Sequence, residues 1–228
     1  MLLLAFVLTV KSQRYKKSNV NAFQQGWYVG GNCGLSFFIA EGNNFINPKK
    51  FLSFSLKDNG GLMGRVELGY NFTDVLCVRG FLGRFNHSWP DPRYKNTNGS
   101  YRIVTFGSED LTVDLMVNMS NLLGSPNPKR LVTVSAFGGV GLANRDKANF
   151  SSNLMAGILR VGMQGTYHYT QDVDLNLIAD GNFVGDNFNG YVITFPIDFY
   201  PAVSVGITYH LPSYHGYRYR SGYRYRYR

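Results

Sequence analysis

Leu62-Met63-Gly64-Arg65-Val66-Glu67-Leu68-Gly69-Tyr70-Asn71-Phe72 sorts its side chains into two sets. One set is Leu62, Gly64, Val66, Leu68, Tyr70 and Phe72; the other carries Arg65 and Glu67. Successive strand residues point to opposite faces, so a period of two gives this segment an apolar face and a charged one. The same sorting recurs in Leu111, Val113, Leu115, Val117 and Met119 against Thr112, Asp114, Met116, Asn118 and Ser120. It returns in Val173, Leu175, Leu177, Ala179, Gly181 and Phe183 against Asp174, Asn176, Ile178, Asp180 and Asn182. Tyr167 and Tyr169 alternate with Arg160, Gln164, Thr166 and His168 on the preceding segment. Such repetition from Trp27 to Leu211 predicts an all-β fold: an eight-stranded antiparallel up-and-down transmembrane β-barrel.

The pattern places strands near 26–38, 61–72, 75–86, 101–121, 131–143, 154–168, 173–184 and 198–211. An even number suits closure. Asn71-Phe72-Thr73-Asp74 and Tyr169-Thr170-Gln171-Asp172 read as tight turns, whereas 39–60, 87–100, 144–153 and 185–197 are longer and polar. Short periplasmic turns and long outer loops are the asymmetry expected of a membrane barrel. The connection 122–130, with Pro126 and Pro128, is a longer inner turn.

A soluble ligand-binding barrel also alternates, so alternation alone leaves the faces unassigned. Aromatic placement favours the membrane: Trp27, Tyr70, Phe72, Tyr167, Tyr169 and Tyr209 fall in the apolar phase near the inner turns or chain ends, forming one interfacial girdle. The polar phase holds Gly30, Gly34, Gly69, Gly83, Gly139, Gly141, Gly162 and Gly206, small enough for a crowded interior.

At 228 residues, 44% apolar with 26 glycines, the chain is sized for one barrel with short ends. No apolar run reaches the roughly 18 residues of a spanning helix. Residues 1–12 read as a signal peptide cut near Ser12, with Val10 and Ser12 at the small-residue positions; the apolar run lacks the usual preceding basic residue, and an N-terminal strand is the alternative. Residues 13–25 follow as an N-terminal periplasmic segment, 26–211 as the barrel and 212–228 as a basic Tyr/Arg-rich periplasmic tail. Cys33 lies in the apolar phase and Cys77 in the polar phase, so their side chains diverge and no disulfide is expected.

Asp114-Leu115-Met116-Val117-Asn118-Met119-Ser120-Asn121-Leu122-Leu123, Asn127-Pro128-Lys129-Arg130, Asp172-Val173-Asp174-Leu175-Asn176-Leu177 and Gly206-Ile207-Thr208-Tyr209 mark the second half of the chain. Through these motifs it resembles the OmpA-like outer-membrane barrels of the Bacteroidetes. The first half matches by pattern, through Gly26-Trp27-Tyr28-Val29-Gly30 and 61–86. Many members continue into a peptidoglycan-binding domain; here a barrel without that domain is the expectation. Ser204-Val205-Gly206-Ile207-Thr208-Tyr209-His210-Leu211 looks like the terminal insertion signal of such proteins. The resemblance implies residence in the bacterial cell outer membrane, with lipid and lipopolysaccharide as surroundings.

The polar phase places Arg65, Glu67, Arg79, Asp114, Arg160, Asp174 and Asp180 inside. Eight strands enclose a space that side chains just fill, so these charges are read as a structural plug rather than a selectivity lining. No catalytic, cofactor or metal site is expected. His87-Ser88 is the only His beside a Ser and is placed on an outer loop, His168 and His210 are read as capping the interior network, and no Gly-x-Ser-x-Gly or His-Glu-x-x-His occurs. The tail interleaves Arg218, Arg220, Arg224, Arg226 and Arg228 with tyrosines and supplies much of the +9 formal charge. Behind an outer membrane its expected anions are peptidoglycan or acidic periplasmic components, not nucleic acid; a weakly attached end is the alternative. The expected role is therefore structural or adhesive, with a small porin or a soluble secreted ligand-binding barrel as competing readings.

Overall fold

In the computed structural model, residues 25–39, 60–95, 101–124, 127, 130–146, 154–185, 188 and 197–212 are described. Eight strands run β1 (Gly26–Phe37), β2 (Gly60–Asn71), β3 (Leu76–Lys95), β4 (Tyr101–Asn118), β5 (Val132–Arg145), β6 (Leu154–His168), β7 (Val173–Gly185) and β8 (Ile197–His210). Each pairs antiparallel with the next, and β8 returns to β1 to close the barrel. Closure leaves no sheet edge within the wall, the condition a bilayer imposes on strands.

Most strand ends lie within two residues of the sequence reading, and the two largest differences are at the ends of β3 and β4. Strand β3 continues to Lys95 where a loop from 87 was expected, because 86–91 find partners in Arg102–Gly107. Strand β4 stops at Asn118 rather than 121. The chain turns there into α1 (Met119–Leu122), capped by Asn118, whose side chain accepts a hydrogen bond from the Asn121 backbone. Asn121 in turn donates to the Asp74 carbonyl at 2.8 Å and accepts from Arg130 at 2.7 Å. The long 122–130 connection is thus fastened to the neighbouring turn.

The two phases have opposite fates, and their order decides the solvent. Trp27, Leu62, Val66, Leu82, Leu111, Val113, Val140, Leu159, Leu177, Val205 and Ile207 are exposed, whereas Arg79 and Arg160 are 1% exposed and Asp114 is fully buried. A water-soluble barrel would reverse this, so the soluble reading is corrected: the apolar exterior requires hydrocarbon. At the turn end the exterior carries Trp27 edge-on to Tyr70 and Tyr70 edge-on to Phe72, with Tyr169 and Tyr209 exposed nearby in the chain ends and turns. On β3–β5 the apolar band ends at an exposed charge group, where Arg84 pairs with Glu109 at 3.0 Å and with Asp146. From Glu109 to Asn118 is about 30 Å along the strand, or about 23 Å at a usual barrel tilt, close to the expected height of a lipid-facing band. The β3–β4 hairpin extends beyond it.

Inside, large side chains face glycines across the ladder. Arg65 pairs with Gly83, Glu67 with Gly30, Arg79 with Gly69, Asp114 with Gly139, Asp180 with Gly162 and Asn176 with Gly206. These are close approaches: a Cβ on Gly139 would stand 2.2 Å from Asp114 Oδ1, and one on Gly69 would stand 2.2 Å from the Tyr28 ring. The outward-facing Gly157 would meet nothing within 4 Å. At the start of β1, Gly26 has a φ of 134°, which other residues rarely adopt.

Candidate functional site

The interior is stacked in layers from the turn end to the loop end. The central layer links six of the seven predicted interior charges into a chain of alternating sign. Glu67 lies 3.8 Å from Arg79, Arg79 lies 3.3 Å from Asp114, and Asp114 lies 3.0 Å from Arg160. Arg160 approaches Asp180 at 3.3 Å, and Asp180 accepts from Arg65 at 2.8 Å. The chain of charges begins and ends on β2 and passes through β3, β4, β6 and β7, so adjacent like charges are always separated by an opposite one. Arg79 also donates to Gln164.

Aromatic rings fill the space between the guanidinium groups. Arg79 lies 4.6 Å from the Phe81 ring centre and 4.4 Å from that of Phe137; Arg160 lies 4.5 Å and 5.0 Å from the same rings. Arg65 sits 5.1 Å from the Phe85 ring centre. A desolvated cation over a ring face is worth about 2 kcal/mol, which offsets part of the cost of taking these charges from water. Phe81, Phe85 and Phe137 occupy the polar phase of their strands, a signal in the sequence that the interior is packed rather than wet.

Asp174, the seventh predicted charge, is held apart from that layer at the turn end. It accepts from His168 Nδ1 and His210 Nε2, both at 2.8 Å, and Thr133 Oγ1 lies 3.2 Å from the other nitrogen of His168. The histidines therefore secure Asp174 rather than cap the central charges directly. Between the two layers, Gln164 and Thr166 donate to Asn176, Asn176 donates to Thr208 at 2.7 Å, and Thr208 donates to Glu67 at 2.9 Å.

The loop end has a layer the sequence reading missed. Phe38, Phe85, Trp89, Phe106, Phe188 and Tyr200 are buried there with Met63, Ile158 and Val184. Phe38 meets Phe106 at 5.3 Å and His87 at 5.2 Å between ring centres, both edge-on. His87, expected on an exposed loop, is enclosed by these rings because β3 continues through it. Its Nε2 lies 3.1 Å from Ser108 Oγ, Ser108 donates to Asp110 at 2.9 Å, and Tyr200 donates to the other Asp110 oxygen at 2.5 Å. Ser108 is fully buried, and its hydroxyl donates to the Asp110 carboxylate. Ser108 lies 21 residues from His87, and the pairing of β3 with β4 brings them together.

At the turn end the interior opens in a cleft of ≈ 80 Å³, lined by Asn71, Asp74, Asn118, Gln171, Asp174 and His210 among others. Tyr28 and Cys77 stand in it, with the phenol oxygen 3.2 Å from the sulfur. Cys33 is exposed on the other side of the wall, and both cysteines are free. Among the described residues, no group of three or more His, Cys, Asp or Glu is set to hold a metal ion. Arg218, Arg220, Arg224, Arg226 and Arg228 lie outside the described residues, as do residues 1–24.

No protein-family model matches the chain. No curated protein sequence matches it either. Among solved structures it is similar to Neisserial surface protein A, with 15% identity and a TM-score of 0.52 over 82% of this chain and 97% of that one. It is also similar to the outer membrane protein OprG from Pseudomonas aeruginosa, with 10% identity and a TM-score of 0.50 over 84% of this chain and the whole of that one. At these identities the likeness is one of fold, and the fold is the closed eight-stranded barrel of bacterial outer-membrane proteins.

Proposed function

We propose that this chain is a non-conducting, OmpA-like barrel of the bacterial outer membrane, structural or adhesive in role. The observation that carries the reading is the double closure of the lumen. An alternating chain of charges is clamped between Phe81 and Phe137, and an aromatic cap lies above it. A pore needs a continuous wet path, and both layers occupy the axis of a barrel that side chains just fill. The turn end faces the periplasm and the loop end faces outward, by the usual asymmetry of turn and loop lengths. The motifs from Asp114 to Leu123 and from Asp172 to Leu177 favour the Bacteroidetes type. In a planar bilayer the purified protein gives only rare, small openings; steady nanosiemens-scale channels would overturn this reading and favour a small porin.

The tail is the second part of the proposal. Chain continuity brings it out beside the turns, because Leu211 donates to the Trp27 carbonyl and His210 to the Asp172 carbonyl. Its five arginines and no acidic residue suit the carboxylates of the cell wall, as several weak charge-assisted bonds acting together. Deleting 213–228 weakens salt-sensitive co-sedimentation with peptidoglycan sacculi. Equal co-sedimentation of the truncated and full-length barrels at low salt would remove the tether.

A further inference from the structure

Strand β1 is the sparse sector of the interior. Its inward residues at the level of the charges are Gly30, Asn32 and Gly34, and Asn32 lies opposite Arg65 on β2 and Gly206 on β8. Longer side chains lean across these glycines. A Cβ on Gly30 would stand 2.5 Å from Glu67 Oε1, one on Gly34 would stand 2.7 Å from Ser204 Cβ, and one on Gly206 would stand 2.7 Å from Asn32 Cβ. Glu67, Asn32 and Ser204 are thereby gathered on the β8–β1–β2 wall. Arg65 starts on β2 and reaches Asp180 on β7, so its side chain spans β1 and β8, the strands between them.

This wall carries polar atoms that the protein does not meet. Asn32 Nδ2 and Oδ1, Arg65 Nε and Nη1, Glu67 Oε2 and Ser204 Oγ have no hydrogen-bond partner among the described residues. Asn32 is 7% exposed and Ser204 2%, and Arg65 and Glu67 are buried with them. Glu67 Oε2 lies 3.8 Å from Arg79, beyond hydrogen-bonding reach. The free oxygen of Glu67 and the free edge of Arg65 are the two ends of the alternating chain of charges, two residues apart on one face of β2.

Buried polar groups are met by protein or by ordered water. The atoms here are mixed in kind. A cation would face the Arg65 guanidinium, and an anion would face Glu67 while leaving Asn32 Oδ1 unmet. The three arginines and three carboxylates of the layer sum to zero charge, so no net field calls for an ion. A molecule that both donates and accepts meets every atom. Turning the Asn32 amide over exchanges its oxygen and nitrogen and leaves the same demand.

We infer that the β8–β1–β2 wall binds ordered water, held by Asn32 and Ser204, which bridges Glu67 Oε2 to the free edge of Arg65 and closes the alternating charges into a ring. The lumen is then two-sided. Phe81 and Phe137 pack the Arg79 guanidinium from β3 and β5, and water meets the charges from β1. Asn32 is the positioning residue of the site, offering a donor and an acceptor where its neighbours on the inner face of β1 offer no side chain. The water is enclosed by buried groups, and its test does not depend on whether the barrel conducts.

Water-selective nuclear Overhauser spectroscopy on the full-length protein in lipid bicelles tests this. The Arg65 Nε–H and Asn32 Nδ2–H resonances are expected to show direct cross-peaks to long-lived water. A crystal structure is expected to show a density peak within about 3.2 Å of both the Asn32 amide and Glu67 Oε2 or Arg65 Nη1. Crystals grown in bromide are expected to give no anomalous signal there; a bromide peak would make this an anion site and overturn the inference. Asn32→Leu puts an apolar group of similar size in place of the amide. It is expected to lose the Arg65 cross-peak and lower the urea midpoint, whereas Asn32→Ser keeps the cross-peak. Should Asn32→Leu fail to assemble, Ser204→Ala is expected to weaken the same cross-peak. Absence of both cross-peaks in the unsubstituted protein would overturn the inference, as would an Arg65 cross-peak undiminished in Asn32→Leu or Ser204→Ala.

Discussion

Arg79 concentrates the physics of the interior in one side chain. It is 1% exposed, touches both Asp114 and Glu67, and lies between two rings. Arg79→Ala leaves buried carboxylates short of a partner and is expected to lower the unfolding free energy by about 3–5 kcal/mol. Val66→Ala, on the lipid-facing side, is expected to cost less than about 1 kcal/mol, since no buried partner or cavity is involved. Urea titration of folding into lipid vesicles measures both; equal shifts in midpoint would mean that the faces are assigned wrongly. The glycines make a second pair. Gly139→Ala forces a methyl group against Asp114 and the neighbouring backbone, an overpacking cost of about 1–3 kcal/mol, whereas Gly157→Ala meets open space and is neutral. The alternation in the sequence placed seven charges and eight glycines inside, but not which glycine makes room for which charge, because the ladder register sets that.

The strands were legible because each keeps a strict period of two for long enough to be read. Strand β3 was cut short at Asn86 because His87, Ser88 and Pro90 read as loop residues. Pairing with β4 carries them onward, and tertiary hydrogen bonds outweigh local propensity there. That extension adds His87 and Trp89 to a cap whose other rings, Phe38, Phe85, Phe106 and Tyr200, lie within or at the end of strands the alternation predicts. On the proposed double closure, removing the cap alone, with Phe38→Ala and Phe106→Ala, is expected to lower the unfolding temperature yet leave the bilayer current silent, since the charge layer would remain. Opening requires Arg160→Ala and Asp114→Ala in the same protein; a current from the cap variant alone would show that the rings are the only barrier. Strand β8 is complete at His210, paired to β7 from Ile197 to Tyr209 and to β1 from Ala202 to His210. Deleting 213–228 therefore leaves the compact unheated band intact, and a truncated protein that fails to assemble would mean that the last strand needs the tail.

At the scale of the molecule, a membrane barrel inverts the soluble arrangement. Its apolar band has no partner in the protein, and its polar groups have almost no water. The whole protein is therefore expected to resist alkaline extraction from outer membranes and to migrate faster unheated than heated; recovery in a soluble fraction would defeat the membrane reading. The sequence alone determined the strand count, the two faces, the aromatic girdle and the identity of the interior charges, since each follows from local periodicity and covalent geometry. Only the tertiary structure decided that Asp174 belongs to two histidines, that Arg79 and Arg160 share Asp114, and that Ser108 meets His87 and Asp110 beneath the rings. Apart from the Ser108–Asp110 bond within β4, those contacts join residues on different strands, and their partners are fixed by the register and closure of the barrel, which couple positions that no local pattern relates.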